Sequence, residues 1–518
     1  MTILSVSFLA LVAAGALVYY LVPKAWRWLV LLAVSLVFYG FAGTPATILY
    51  LVGSALTAYG ATMWMARVRR RGGQPSRSVG WVTFLALLLN LLVWALVKAK
   101  GLWAPAVRLL ADGPLPGARA LLDWDLVSAL GMGYYTLQVI GYIVDCYWET
   151  VEPQRNPLKL FLFVCYFPQL STGPISRYSQ LTALWQGADF EYRNLAFGAQ
   201  RILWGFVKKL VLAERLGLLI SGITGNPEAY AGLYSWLVIL LYPLQLYADF
   251  SGCMDIVLGV SEIYGIHLPE NFRNPFFSQS SQEFWQRWHI TLGAWAKDYV
   301  LYPLMRTRLF MAMGKSARRR WGKRTGRFLV NLPAMAVLWL VMGVWHGGFS
   351  HIVGVSLWYW LVLMLGDLFS PLSEKIAKKL RWRNDRFSLR FFRALRTYLI
   401  FCVGSCFFGQ GVRRGLYLLR DAASVLIHRN AANPWILFGT EWQALGLSFQ
   451  DWNVILVVLL LLAVVGFLRE KHGYARVWIG SQGFAFRWLI WIGLFVFLLI
   501  WGKYGPGYSP AEFIYVGF

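Results

Sequence analysis

Apolar runs approaching the ~20 residues that carry a helix across a bilayer recur along the whole of this sequence. Clear examples lie at residues 3–22, 80–99, 233–248, 328–345, 453–468 and 485–501. Backbone polar groups find no partner in lipid, so only helices and closed barrels span membranes. Barrel strands read as alternating segments of ~10 residues, whereas these runs are continuous. The chain is therefore expected to be an all-α polytopic membrane protein with about ten to twelve full or partial crossings. Charged residues make up 14% of the sequence, against roughly a quarter in soluble domains, too few to cover a water-facing surface.

A net charge of +25 would suit a nucleic-acid partner, but its distribution argues against one. The basic residues cluster between apolar runs, at Arg67–Arg77, Arg306–Arg327, Lys375–Arg396 and Arg469–Arg476, which reads as short cytoplasmic loops under the positive-inside rule. Contact with anionic lipid headgroups follows from that placement. With residues 67–77 inside, three crossings precede them and the N-terminus starts outside. The last run, 485–501, leaves a basic inner loop and delivers the C-terminal tail outside. The N-terminus lacks a charged leader and a small-residue cleavage site, so residues 3–22 read as a retained anchor. Cys146, Cys165, Cys253, Cys402 and Cys406 match no zinc or redox spacing and read as buried small hydrophobes, with no disulfide and no metal site expected.

One membrane domain over residues 1–502 and a short tail, 503–518, is the simplest organisation. Three regions break the pattern. Residues 104–124 read as a Pro/Gly-containing outer loop. Residues 150–190 mix short apolar stretches with turn signals and suit a re-entrant element. Residues 267–300 are too polar and aromatic for a lipid-facing span. Irregular backbone at membrane depth survives only when protein buries it or water lines it, so an internal cavity is expected. Residues 421–452, with Trp435, Trp442 and Trp452, read as an outer-face element.

Within 280–300, Ser280 and Glu283 form a capping-box start. One helix from there would place Trp285, Trp288, Leu292, Trp295 and Tyr299 on one face, with Glu283, Gln286, Arg287, Lys297 and Asp298 opposite. An interfacial helix anchored by tryptophans is the reading that the pattern favours. His289 lies at the edge of the stripe, where it can point into a cavity. His346, in Gly343-Val344-Trp345-His346-Gly347-Gly348, ends an apolar run, and a histidine at membrane depth is a candidate functional group. Its near-neutral titration suits a general base. The alternative is a core histidine bonded to a carbonyl. His351 follows His346 too closely to be placed in the same cavity. Asp145, Asp249, Asp255 and Glu262 are intramembrane carboxylates that could each partner a histidine or an arginine.

Several segments together resemble the membrane-bound O-acyltransferase family. They are Glu270-Asn271-Phe272, Asn274-Pro275-Phe276, Glu283 to His289, Lys297-Asp298-Tyr299, and Trp345-His346-Gly347, which lies 57 residues after His289. Gly141 to Asp145, Gly173-Pro174-Ile175, Gly205 to Lys209 and Tyr247 to Gly252 are similar to it as well, and the core motifs fall within residues 130–420. The resemblance is to the bacterial branch of alginate O-acetylation and teichoic-acid D-alanylation. It implies a ring of tilted helices around a central funnel, with His346 catalytic and His289 supporting. Trp285, Trp288, Trp345, Asn271 and Asp298 become candidates for the substrate path. It also implies an acyl thioester, acetyl-coenzyme A or an acylated carrier protein, as substrate, with no bound cofactor.

The tail, Tyr504 to Tyr508 and then Phe513 to Phe518, resembles the C-terminal motif of the small partner peptide in teichoic-acid D-alanylation, which makes Tyr515 a candidate acyl relay. Sixteen residues follow Gly502, an extended reach of ~50 Å at ~3.3–3.6 Å per residue. The competing reading is an aromatic tail resting at the interface. By the same analogy, an extracellular SGNH-hydrolase-like acyltransferase would pass the group to a polysaccharide or cell-wall polymer, and the protein would sit in the bacterial cytoplasmic membrane. The alternatives are D-alanyl transfer and, from another class, a transporter or flippase. Transporters commonly show internal repeats with broken helices, and none is visible here.

Overall fold

A computed structural model describes residues 1–71, 77–115, 117, 119, 130–382, 386–427 and 445–505. Its principal helices are α1 (Val6–Leu21), α2 (Arg27–Ala42), α3 (Pro45–Arg70), α4 (Arg77–Lys98), α5 (Lys100–Ala111), α6 (Met132–Tyr147), α7 (Tyr192–Phe206) and α8 (Glu214–Gly225). They continue as α9 (Leu233–Ile263), α10 (Ser281–Arg287), α11 (Ile290–Ala296), α12 (Arg308–His346), α13 (Trp358–Lys379), α14 (Phe387–Ile427), α15 (Phe449–His472) and α16 (Phe484–Trp501). Among the described residues, nine helices are long and apolar enough to cross a membrane, and Val6–Leu21 is a shorter apolar helix. The protein is an all-α, multi-pass membrane protein.

The chain divides into two compact units. The first comprises Met1–Phe206 and Gly252–Glu270, the second Val207–Ser251 and the described chain from Asn271 onward. In the first unit, α7 meets the last turns of α9 backbone to backbone. A Cβ on Gly198 would lie 2.6 Å from the Gly259 carbonyl oxygen, and one on Gly205 the same distance from that of Gly252. On the same face Arg201 donates to Asp255 at 2.9 Å and, through both terminal nitrogens, to Glu270 at 2.8 Å. That planar fork satisfies two largely buried carboxylates. Residues 157–172 form two short helices, Pro157–Cys165 and Phe167–Thr172. The longer, at ~1.5 Å per residue, covers ~14 Å, too little to cross a ~30 Å core. Its Leu160, Leu162, Phe163, Val164 and Cys165 are buried, and the Tyr166 hydroxyl shares a 2.9 Å bond with Ser261.

The second unit holds a buried ion triad. Val207–Ala213 is a π-helix, and Lys209 on it meets Glu214 at 2.8 Å and Asp249 at 2.5 Å, with all three side chains 2–3% exposed. Asp249 thus takes a lysine, where a histidine or arginine was expected. Beside it, Lys208 donates to the Ser251 carbonyl and hydroxyl, each at 2.8 Å.

Two expectations are corrected, and a third region is described only in part. The basic cluster Arg306–Arg327 is not a loop. α12 reverses at Gly322 (φ 78°), Gly326 lies against the Arg318 backbone, and Phe310, Val330 and Ala334 pack together between the arms. Arg, Lys, Ala and Met are strong helix formers, so the basic segment stays helical and glycine alone supplies the turn. The proposed outer loop 104–124 begins as helix, since α5 runs to Ala111. Of residues 421–452, α14 takes those up to Ile427, and Trp452 lies on α15, which Ser448 and Asp451 open as a capping box. Trp435 and Trp442 lie outside the described residues.

Lys209→Met leaves two buried carboxylates without their ammonium. Breaking such a pair from one side costs about 3–5 kcal/mol, so a clearly lowered thermal midpoint in detergent is expected. An unchanged midpoint would contradict this role for the triad.

Candidate active site

The segment around His289 is built by a helix that stops early. The Ser280 hydroxyl accepts the Glu283 N–H at 3.1 Å and opens α10. At the other end Arg287 is gripped by Glu283 at 2.8 Å and Glu470 at 2.6 Å. Trp288 then pairs antiparallel with Phe272. The Arg273 N–H donates to the Arg287 carbonyl at 2.9 Å, and the Ile290 N–H to the Asn271 carbonyl at 3.0 Å. Between these bonds His289 adopts the left-handed conformation (φ 47°, ψ 50°), which costs a non-glycine residue roughly 1–2 kcal/mol. The single amphipathic helix expected over 281–300 is thereby replaced by α10, a sharp corner and α11.

The corner has a chemical consequence. The Asn271 Oδ1 accepts from the Thr291 N–H at 3.0 Å and the Thr291 hydroxyl at 2.9 Å, and lies 3.2 Å from His289 Nδ1. The backbone donor fixes that Asn271 atom as the oxygen. Nδ1 must then carry the proton, which leaves the lone pair on Nε2. His289 is 2% exposed, and burial pushes its pKa down to about 3, so it works as a neutral imidazole.

The tryptophans are not interfacial anchors. Trp288 and Trp295 are buried; Trp288 stacks on Phe284 at 5.6 Å and meets Phe401 at 4.9 Å, while Trp285 packs on Trp339 and Tyr359. They build the wall behind the corner. The bridge to Phe272 turns this stripe inward, a pairing that helical periodicity does not reveal.

His346 is the last residue of α12 and is 6% exposed. Gly347 (φ 94°) and Gly348 (φ 50°) turn the chain immediately after it, conformations open to glycine at little cost. Its ring centre lies 6.2 Å from that of His289, 4.8 Å from Trp345, 5.6 Å from Phe408 and 6.3 Å from His351. Phe250 stands perpendicular to His289 at 4.9 Å. Ring centres 6.2 Å apart let a group bound at one imidazole lie close to the other, and the His289 Nε2 lone pair can accept from a donor there.

The structure therefore brings together His289, His346, Asn271 and Trp345, and it adds Thr291, Phe250, Phe408 and His351. His351 belongs beside His346, contrary to expectation; the glycine pair between them reverses the chain. Asp298 is exposed on the π-helix Lys297–Leu301, and Tyr515 lies outside the described residues. Among the described residues, no group of three or more His, Cys, Asp or Glu side chains is arranged to hold a metal ion.

Because His289 is held near 3 when folded and titrates near ~6.5 when free, only the unfolded chain takes up its proton between those values. Stability supplied by the neutral ring is therefore full above pH ~6.5 and lost as the pH falls towards 3. Thermal midpoints measured from pH 7 to 4 should fall, and His289→Gln should flatten the fall. Equal pH dependence in both proteins would contradict the burial.

Comparison with known proteins gives the site a context. The sequence pattern of the membrane-bound O-acyltransferase family matches residues 154–410. A probable alginate O-acetylase of Azotobacter vinelandii is 29% identical over 337 residues, 64% of this chain and 64% of that protein. The chain thus spans just under two thirds of that relative. A teichoic acid D-alanyltransferase of Bacillus subtilis is 30% identical over 287 residues, 54% of this chain and 68% of that protein. A peptidoglycan O-acetyltransferase of Helicobacter pylori is 29% identical over 256 residues, 44% of this chain and 45% of that protein.

Proposed function

Because this chain belongs to the membrane-bound O-acyltransferase family, we propose that it transfers an acyl group, acetyl in the leading form, from a cytoplasmic thioester for O-acylation of an extracellular polysaccharide or cell-wall polymer. The observation that carries this reading is the buried pairing of His289 with His346. The acceptor hydroxyl gives its proton to His346 while its oxygen bonds to the thioester carbonyl carbon. His289, through the lone pair that its fixed tautomer leaves on Nε2, accepts a hydrogen bond from a donor group of a bound substrate and so holds it in place. The tetrahedral intermediate then collapses, the C–S bond breaks, and the departing thiolate takes the proton from the His346 imidazolium. The product is an ester and a free thiol. Acetyl-coenzyme A or an acylated carrier protein serves as donor substrate, and the chemistry needs no bound cofactor.

The acceptor in this reading is the Tyr515 hydroxyl, from which an extracellular SGNH-hydrolase-like enzyme takes the acyl group onward. A phenol titrates near ~10, so base assistance by His346 is needed at neutral pH. The root of the tail is firmly held, which favours a directed segment over a loose one. The Lys503 N–H donates to the Leu210 carbonyl at 2.9 Å, Lys503 Nζ lies 3.3 Å from Asp451, and Arg215 binds Asp451 at 2.8 Å and the Trp501 carbonyl at 2.6 Å. In this reading both termini lie outside the bacterial cytoplasmic membrane. The Bacillus relative supports D-alanyl transfer as a second reading.

Intact mass spectrometry of the C-terminal peptide, from protein isolated from its host, tests the proposal. An added mass on Tyr515, lost in His346→Ala and Tyr515→Phe, is expected, and its size distinguishes acetyl from D-alanyl. An unmodified tail, in a host whose polymer stays esterified when it carries the Tyr515→Phe variant, would overturn the relay. Full esterification with His346→Ala would overturn the site.

A further inference from the structure

His289 keeps its corner only while residues 271–273 stay paired with 287–290, and the two backbone bonds between these stretches join a very short ladder. Short strand pairs are marginal on their own. A contact from outside the pair must keep it closed.

α15 is placed to supply that contact. It packs on the chain just beyond residue 273, where a Cβ on Gly466 would lie 2.7 Å from the Phe277 ring. One turn further along α15, on the same face, Glu470 reaches both stretches at once. Its Oε1 accepts from the Asn274 side-chain amide at 3.0 Å and from the Arg287 guanidinium at 2.6 Å. Its Oε2 lies 3.3 Å from the second terminal nitrogen of Arg287. The same Asn274 amide donates to the Gly466 carbonyl at 2.9 Å. Two acceptors around one Asn274 atom fix it as the nitrogen. Asn274 directly follows the first stretch and is itself left-handed (φ 45°, ψ 59°), while Arg287 opens the second. One carboxylate oxygen thus bridges the two stretches at the end where they diverge. The helix that carries it is also held at its other end, where Asp451 meets Arg215 at 2.8 Å and Lys503 at 3.3 Å. α15 lies beyond residues 154–410, which match the family pattern.

We propose that Glu470 is a positioning residue of the acyltransferase site: its Oε1, shared between Asn274 and Arg287, keeps the two stretches together and so holds the His289 imidazole in its working direction. The inference rests on the proposed acyl transfer at His289 and His346. The proton balance of that transfer closes between the hydroxyl, His346 and the thiolate, so Glu470 supplies direction alone. Misplacement of a reacting group by ~1 Å can cost about 10²-fold in rate. Without Glu470, Arg287 keeps Glu283 at 2.8 Å and Asn274 keeps the Gly466 carbonyl. Each partner retains one bond, and what disappears is the link between them.

The test compares Glu470→Leu with Glu470→Gln in the native host. Leu fills the space without an acceptor, whereas the Gln amide oxygen can stand in the place of Oε1 and accept from both partners. The readout is the acyl group released by mild base from the extracellular polymer, normalised to the amount of folded protein in the membrane. Glu470→Leu should lower it about tenfold or more, and Glu470→Gln should restore it to within about threefold of the unsubstituted protein. A fully active Leu variant would overturn the proposal. Equal loss in both folded variants would overturn it too, because the charge and not the shared oxygen would then matter. Asn274→Gly removes the bridge from the other side while still permitting the left-handed backbone, and it decides the matter if the Leu variant does not fold. It should also lower the esters, and a fully active Asn274→Gly protein would overturn the bridge. His346→Ala in the same host separates the two levels. If that variant keeps its esters, the assignment of the base fails. If it loses them while Glu470→Leu does not, only the positioning role fails.

Discussion

Two backbone bonds, from Arg273 to Arg287 and from Ile290 to Asn271, fasten residues 271–273 antiparallel to 287–290, and the site's chemistry depends on that pairing. It forces His289 into a left-handed corner, and the same corner brings the Asn271 carboxamide oxygen against Thr291 and the imidazole. A strained conformation persists where its surroundings over-determine it. Here the surroundings are a capped helix on one side, the Arg287–Glu470 pair, and an aromatic wall of Trp288, Phe284 and Phe401. The outcome is an imidazole with a fixed tautomer, a fixed direction and no tendency to charge. Such a group is useful in catalysis because it presents a fixed acceptor that can orient a substrate donor without rearranging.

The other half of the site is arranged by a different device. A long helix delivers His346 at its very end, and two glycines then turn the chain so that His351 returns beside it. Both halves of the pair stand at breaks in regular structure, where helical hydrogen bonding stops and side chains can converge. The buried charges elsewhere support this arrangement. Lys209 with Glu214 and Asp249 fixes the π-helix 207–213 to α9 close to Phe250, which in turn faces His289. Each of these buried charges has an opposite charge or a carbonyl within reach, as low-dielectric surroundings require.

Helix content and the recurrence of spanning segments were legible in the sequence because continuous apolar runs have one common solution in lipid. The importance of His289 and His346 was legible from two quite different signals, a polar group at membrane depth and a resemblance spread over many segments. The corner at Trp288–His289 was not. Residues 281–300 carry an unbroken helical periodicity, and the break comes from pairing with residues 271–273, a non-local contact that leaves no local trace. The same limit hid Phe250, Phe408 and Thr291. His351 could have been found from the glycine pair, since a left-handed turn directs the following residue back towards the preceding helix. The basic cluster at 306–327 was misread as loop because charge marks the membrane side and says nothing about backbone conformation.

The central claim is that His289 and His346 act as one unit on one reacting group. A kinetic double-mutant cycle tests it directly, with initial rates of acyl transfer measured for His289→Ala, His346→Ala and the double variant. Groups that act as a unit are strongly non-additive. The account predicts that the double variant is no slower than the slower single variant. A double variant slowed by the product of the two single losses would show that the histidines act independently, and would contradict it.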